Sequence, residues 1–123
     1  MLSDVEVYPE TRAAMGERAD LLQGTLDLLV LKTLALGPLH GWGISRRLRD
    51  LSGDVLAVGQ GSLYPALYRL EDRGWITSEW GTSPEGKRAR FYTLTTVGRK
   101  QFAAERAHWR LFAGAVEQVL SAT

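Results

Sequence analysis

At 123 residues, 45% of them hydrophobic and 24% charged, the chain has the length and composition of one folded domain and not of a disordered or multi-domain protein. The absence of cysteine excludes a disulfide framework, a thiolate metal site and a cysteine nucleophile, in keeping with a reducing setting. A formal net charge of +1 does not by itself argue for a polyanionic partner, but residues 1–20 hold two arginines against five acids, so the remainder is net basic.

Residues 1–20 form an acidic leader in which Tyr8-Pro9 reads as extended backbone and residues 10–22 carry a helical pattern. Asp4, Glu6 and Glu10 stand where a secretory signal would need a basic start and an apolar run, so a cytoplasmic chain is expected. Over residues 25–36 apolar side chains fall on nearly every side of a helix, interrupted by Asp27 and Lys32. That run is far short of the ~20 residues of a membrane span, and it needs packing partners on more than one side. Gly37-Pro38 ends it. A second helix over residues 43–52 puts Ile44, Leu48 and Leu51 on one side, with Arg46, Arg47 and Arg49 largely elsewhere. Ser52-Gly53-Asp54 is a turn, and residues 55–58 read as a short apolar strand at a sheet edge.

Gly59-Gln60-Gly61-Ser62 opens a third helix, with Ser62 near the cap and Pro65 tolerated in the first turn. Leu63, Leu67 and Leu70 mark its buried side, and Gly74 ends it. Residues 75–80 alternate apolar and polar as a half-buried strand does, residues 82–88 form a charged loop, and residues 89–95 resume a strand. Thr95 or Thr96 caps a long last helix that runs to about residue 120.

Three helices, a hairpin with a basic tip and a long final helix give a mainly α fold, a winged helix-turn-helix over residues 21–96 followed by a C-terminal helix over residues 97–123. In such a fold the third helix enters a major groove. A duplex presents phosphates and groove-edge acceptors, so its reader needs polar residues at the front of one helix and cations beside it. Gln60, Ser62, Tyr64, Tyr68 and Arg69 supply the first, and Lys87, Arg88 and Arg90 supply the second. The competing readings are that Tyr64 and Tyr68 are packed aromatics and that Arg69 and Arg73 pair with Asp72 and Glu71 in solvent.

Gly61-Ser62-Leu63-Tyr64-Pro65-Ala66-Leu67-Tyr68-Arg69-Leu70-Glu71 resembles the signature of the PadR family of bacterial transcriptional regulators. Pro38-Leu39-His40-Gly41-Trp42-Gly43-Ile44 is similar to that family's turn into its second helix, with Trp42 where tyrosine is commoner. Gly74-Trp75-Ile76, Trp80 and Arg88-Ala89-Arg90-Phe91-Tyr92-Thr93-Leu94-Thr95 through Gly98 look like its strands and wing. The resemblance covers residues 22–120 or so. It implies a homodimer that binds a palindromic operator in double-stranded DNA, usually represses, and often lets go when a small molecule binds. By length the chain is similar to the short branch, which has one C-terminal dimerisation helix.

The last helix argues for a dimer independently, since Phe102, Trp109, Phe112, Val116 and Val119 form a seam too long for so small a core to cover. Near a two-fold axis Trp109 would face its own copy, leaving a slot for a planar hydrophobic effector, unless it merely fills the dimer core. No HExxH, GxSxG or GxxxxGK[ST] pattern points to an enzyme, and no cofactor or metal site is expected. His40 and His108 are far apart in sequence and read as structural residues. The alternative from another class is a winged-helix module that binds a protein partner and no DNA.

Overall fold

The computed structural model describes residues 15–123, and side chains from residue 24 onward. In chain order the elements are helix α1 (Met15–Ala35), strand β1 (Leu39–His40), helix α2 (Gly41–Leu51), helix α3 (Gln60–Asp72), strands β2 (Ile76–Thr82) and β3 (Arg88–Leu94), and helix α4 (Thr96–Leu120). The two helical stretches expected on either side of residue 23 are one helix, so the boundary drawn at residue 20 falls inside α1. The part of the acidic leader before Met15, with its expected helix start at residue 10, lies outside the described residues. No helix among the described residues is long and apolar enough to cross a membrane.

The three helices pack around one apolar centre. Leu31 and Leu34 of α1, Ile44 of α2 and Leu63, Leu67 and Leu70 of α3 are almost wholly buried, and Tyr92 and Leu94 of the sheet close the core from the other side. The spacing of three and four along α3 puts its leucines on that side and leaves Gln60, Ser62, Tyr64 and Tyr68 outside.

The sheet is antiparallel in the order β1-β3-β2, with Leu39 opposite Tyr92 and His40 opposite Phe91. The edge strand is therefore Leu39–His40, not residues 55–58 as their apolarity led one to expect. Pro38 cannot continue α1, and the two residues after it pair with β3, Leu39 opposite Tyr92 and His40 opposite Phe91. Residues 55–58 are held by side chains instead: the Leu56 amide donates to Ser52 Oγ at 2.9 Å and Ser45 Oγ donates to the Val58 carbonyl at 3.2 Å. Val55 is 79% exposed, which its apolar character alone did not disclose. Ser62 is not the cap of α3 either. Gly59 holds that position without any side-chain cap, its carbonyl accepting from the amides of Ser62 and Leu63, so the Ser62 side chain faces outward.

The start of α4 is fixed as its sequence indicates. Thr95 caps the helix, its Oγ1 accepting from the Gly98 amide at 2.9 Å and donating to the Gly74 carbonyl at 2.8 Å. Gly98 is buried against the Trp75 carbonyl, so closely that an added Cβ would overlap that oxygen. Phe102, one turn on, is partly buried against the chain's own core. Beyond it the apolar side chains of α4 lie open, with Phe112 51% and Val119 73% exposed. Because the Trp75 carbonyl is backbone and cannot swing aside, Gly98→Ala is expected to destabilise the fold by at least about 2 kcal/mol. Urea denaturation followed by circular dichroism measures this, and an unchanged midpoint would mean that the close approach is not required.

Candidate nucleic-acid interface

α3 presents its first two turns to solvent. Gln60, Ser62, Tyr64 and Tyr68 are all exposed, Tyr68 at 75%. Tyr64 is both packed and presented: its ring lies over the start of α2, where a Cβ on Gly41 would come within 2.5 Å of the Tyr64 hydroxyl oxygen. Glycine at position 41 therefore lets the phenol rest on the α2 backbone while its outer face stays open.

The wing is the β2–β3 hairpin. Its turn is closed by Ser83, whose amide donates to the Lys87 carbonyl at 2.7 Å and whose hydroxyl accepts from the Lys87 amide at 3.1 Å, leaving the Lys87 side chain exposed. Trp80 stands opposite Arg90 in the register, and the guanidinium carbons of Arg88 and Arg90 lie 4.5 Å and 5.5 Å from its ring centroid. The indole face thus holds two like charges on one patch of the wing. Arg90 is further fixed by donating its Nε–H to Ser78 Oγ at 2.7 Å, and Ser78 in turn donates to Glu71 of α3, also at 2.7 Å. This relay ties the wing to α3.

Between the two lies an open groove of about 670 Å³ lined by Tyr64, Tyr68, Glu71, Asp72, Arg90 and Tyr92. Burial pushes the Tyr92 phenol above its ordinary pKa, with Tyr64 and Glu71 adding to the effect and Arg90 opposing it, so it stays a neutral donor in the groove wall. On the other flank of α3 a cleft of about 470 Å³ is lined by Trp42, Arg46, Arg49 and Gln60, and Arg46 lies 5.2 Å from the Trp42 ring centroid. Trp42 and Arg46 were not among the residues expected at a site. An aromatic four residues before an arginine on a helix is the signal that could have raised them.

Tyr64 and Tyr68 share a groove with Arg90 of the wing, Gln60 lines the cleft on the other flank, and Ser62, Lys87 and Arg88 are exposed without lining either space. Arg69 is not with any of these. Its Nη2 donates to Asp27 Oδ1 at 2.8 Å, and Arg73 Nη1 lies 3.8 Å from Asp27 Oδ2, so neither pairs with the neighbouring acids of its own helix as expected. Asp27 is the one buried charged side chain among the described residues, and an acid set among the apolar residues 26–31 is the sequence signal for such a partner.

A third, smaller space of about 240 Å³ lies between α1 and α4, lined by Gly24, Leu28, Glu105, His108, Trp109 and Phe112 among others. The Trp109 and Phe112 rings are 6.3 Å apart and tilted by 44°. Phe102 is not part of this surface.

Residues 30–104 match the model of the transcriptional regulator PadR-like family. Among solved structures, the fold is similar to a transcriptional regulator from Clostridium thermocellum, with a TM-score of 0.73 and 27% identity, covering 80% of this chain and 96% of that one. It is similar also to a PadR family transcriptional regulator from Eggerthella lenta, with a TM-score of 0.71 and 27% identity, covering 90% of this chain and 95% of that one. A 37.1 kDa protein carried by a transposon of Streptomyces fradiae is 38% identical over 100 residues, which are 77% of this chain and 27% of that protein.

The seat of Tyr64 is open to a direct test. Gly41→Ala forces the phenol aside and is expected to cost about 1–3 kcal/mol, whereas in a Tyr64→Ala background the same change meets no ring and costs much less. Additive losses in chemical denaturation of the two single variants and the double variant would show that the two residues do not constrain one another.

Proposed function

The chain belongs to the PadR-like family of transcriptional regulators, and from that premise we propose that it is a sequence-specific DNA-binding repressor that acts in the cytoplasm as a homodimer on a palindromic operator. The observation that carries this reading is the pairing of two surfaces: a polar helix face of Gln60, Ser62, Tyr64 and Tyr68, and a wing whose two guanidiniums are held on Trp80 beside it. The helix face is suited to base edges in a major groove, and the wing cations to the phosphates that flank it. Arg46 and Arg49 on the other flank of α3 suit a second stretch of backbone.

The dimer is supported by α4, where Trp109, Phe112, Val116 and Val119 leave a run of apolar surface open to solvent on a single chain. The slot beside Trp109 is suited to a planar hydrophobic effector whose binding lowers DNA affinity, because it lies between the two helices that would form the dimer and is walled by two aromatic rings.

Fluorescence anisotropy with duplexes at several salt concentrations tests the reading. Lys87→Ala and Arg88→Ala are expected to weaken binding to all sequences alike and to lower the salt slope by up to about one unit each, while Gln60→Ala and Tyr64→Ala also change sequence preference. Equal losses on selected and random duplexes for all four would remove α3 as the reader, and no salt-dependent binding at all would leave a protein-interaction module. On α4, Phe112→Glu is expected to give monomers in sedimentation. Trp109→Ala is expected to stay dimeric yet lose the quenching of tryptophan fluorescence by a planar cationic dye, and unaltered quenching would return Trp109 to a packing role.

A further inference from the structure

The ion pair between Asp27 and Arg69 joins two parts of the molecule that otherwise have separate tasks. Asp27 sits on α1 one turn before the core residues Val30 and Leu31, in a position that the helix period assigns to the apolar side. It is buried at 8% exposure, and its two oxygens face Arg69 at 2.8 Å and Arg73 at 3.8 Å, both on the C-terminal end of the reading helix or just beyond it. A buried carboxylate surrounded by leucines is stable only while these guanidiniums stay where they are. The constraint also runs the other way, because Arg69 Nε is buried without a hydrogen-bond partner and Asp27 is the acceptor that its guanidinium has.

The same turn of α1 lines the slot beside α4. Gly24 and Leu28, three residues before Asp27 and one after it, form one wall, with Trp109 and Phe112 opposite. Arg73 also leans over the Trp75 ring at 5.2 Å, and the Trp75 carbonyl is the group against which α4 starts at Gly98. The end of α3 is therefore gripped by both helices that bound the slot: by α1 through a charge pair, and by α4 through Trp75.

We propose that Asp27 is a positioning residue for DNA recognition: by holding Arg69 and Arg73 it sets the placement of α3 relative to α1, and it is the link through which an occupant of the α1/α4 slot changes affinity for the operator. A group wedged against Gly24 and Leu28 shifts the turn that carries Asp27, and a short, desolvated charge pair passes that shift on to α3 because it has no slack to absorb it. The wing is joined to α3 through Ser78 and moves with it, and point-charge contacts to phosphates tolerate a small displacement better than base-edge hydrogen bonds do, so the change falls on sequence discrimination more than on general affinity.

This inference rests on the DNA-binding reading above, and the experiment separates the two. The probes are a duplex that the wild-type protein selects from a random pool and an unselected duplex. The slot is filled without a ligand by Gly24→Phe, since a Cβ at that position meets nothing within 4 Å. Asp27→Asn is expected to weaken binding to the selected duplex by about tenfold while changing the unselected one by less than about twofold. Gly24→Phe is expected to shift affinity for the selected duplex by about fivefold or more, the lower end of ordinary coupling between sites, and to lose most of that effect in the Asp27→Asn background. Equal losses on both duplexes for Asp27→Asn, or a Gly24→Phe effect that is absent or the same in both backgrounds, would overturn the proposal. A wild-type protein that selects no duplex would instead overturn the DNA-binding reading itself. If Asp27→Asn does not fold by circular dichroism, Arg69→Gln, whose side chain is 25% exposed, takes its place in the cycle with the same expectations.

Discussion

The contact between Gly98 and the Trp75 carbonyl is where the rest of the architecture is decided. Around it meet the end of α3, the beginning of β2, the exit of β3 and the first turn of α4. Thr95 binds all four: its hydroxyl reaches back to the Gly74 carbonyl and forward to the Gly98 amide, and its own amide donates to the Trp75 carbonyl at 3.0 Å. Gly74 enters this junction with φ of +77, a left-handed turn that lets the chain leave α3 at Asp72 and begin the sheet at Ile76, three residues between. The direction in which α4 departs from the winged-helix body is thus fixed by backbone atoms, and a geometry set by backbone is stiffer than one set by side chains alone.

From this junction outward the molecule divides its labour by how each side chain is held. Leucines anchor α3 to the core on one side, so the other side can carry hydroxyls and amides at no cost to packing. Arg88 and Arg90 of the wing lie against an aromatic ring, and Arg90 is also held by a serine, without a direct bond to an acid. Where an acid does meet an arginine, at Asp27, the pair is turned inward and serves the body of the protein.

Much of this was legible in the chain because it is local. The cap at Thr95, the stop at Gly74 and the leucine spacing of α3 depend on residues within one or two turns of each other and stand in the structure, whereas the alternation of β2 holds only as far as Glu79, since Trp80 is exposed under the two arginines. The two-residue strand β1 escaped notice because so short a segment has no period to read, whereas residues 55–58 were apolar enough to pass for a strand but had no ladder to join. Arg69 could be placed on the right helix but not on the right partner, since Asp27 lies 42 residues away. Phe102 fitted a seam by spacing, and spacing does not tell a chain's own core from that of a second copy.

Two arginines that already lie against an indole have given up most of the rotational freedom that a free side chain would lose on meeting a phosphate, which is about 2 kcal/mol of rotamer entropy for each when fully mobile. The wing therefore meets its partner pre-ordered. A guanidinium lying flat on a ring keeps its N–H edge available while its face is occupied, an arrangement that the compact ammonium of lysine cannot copy. Positions 88 and 90 are consequently committed to arginine by shape as well as by charge, while position 87, at the tip and touching no ring, would serve with either cation.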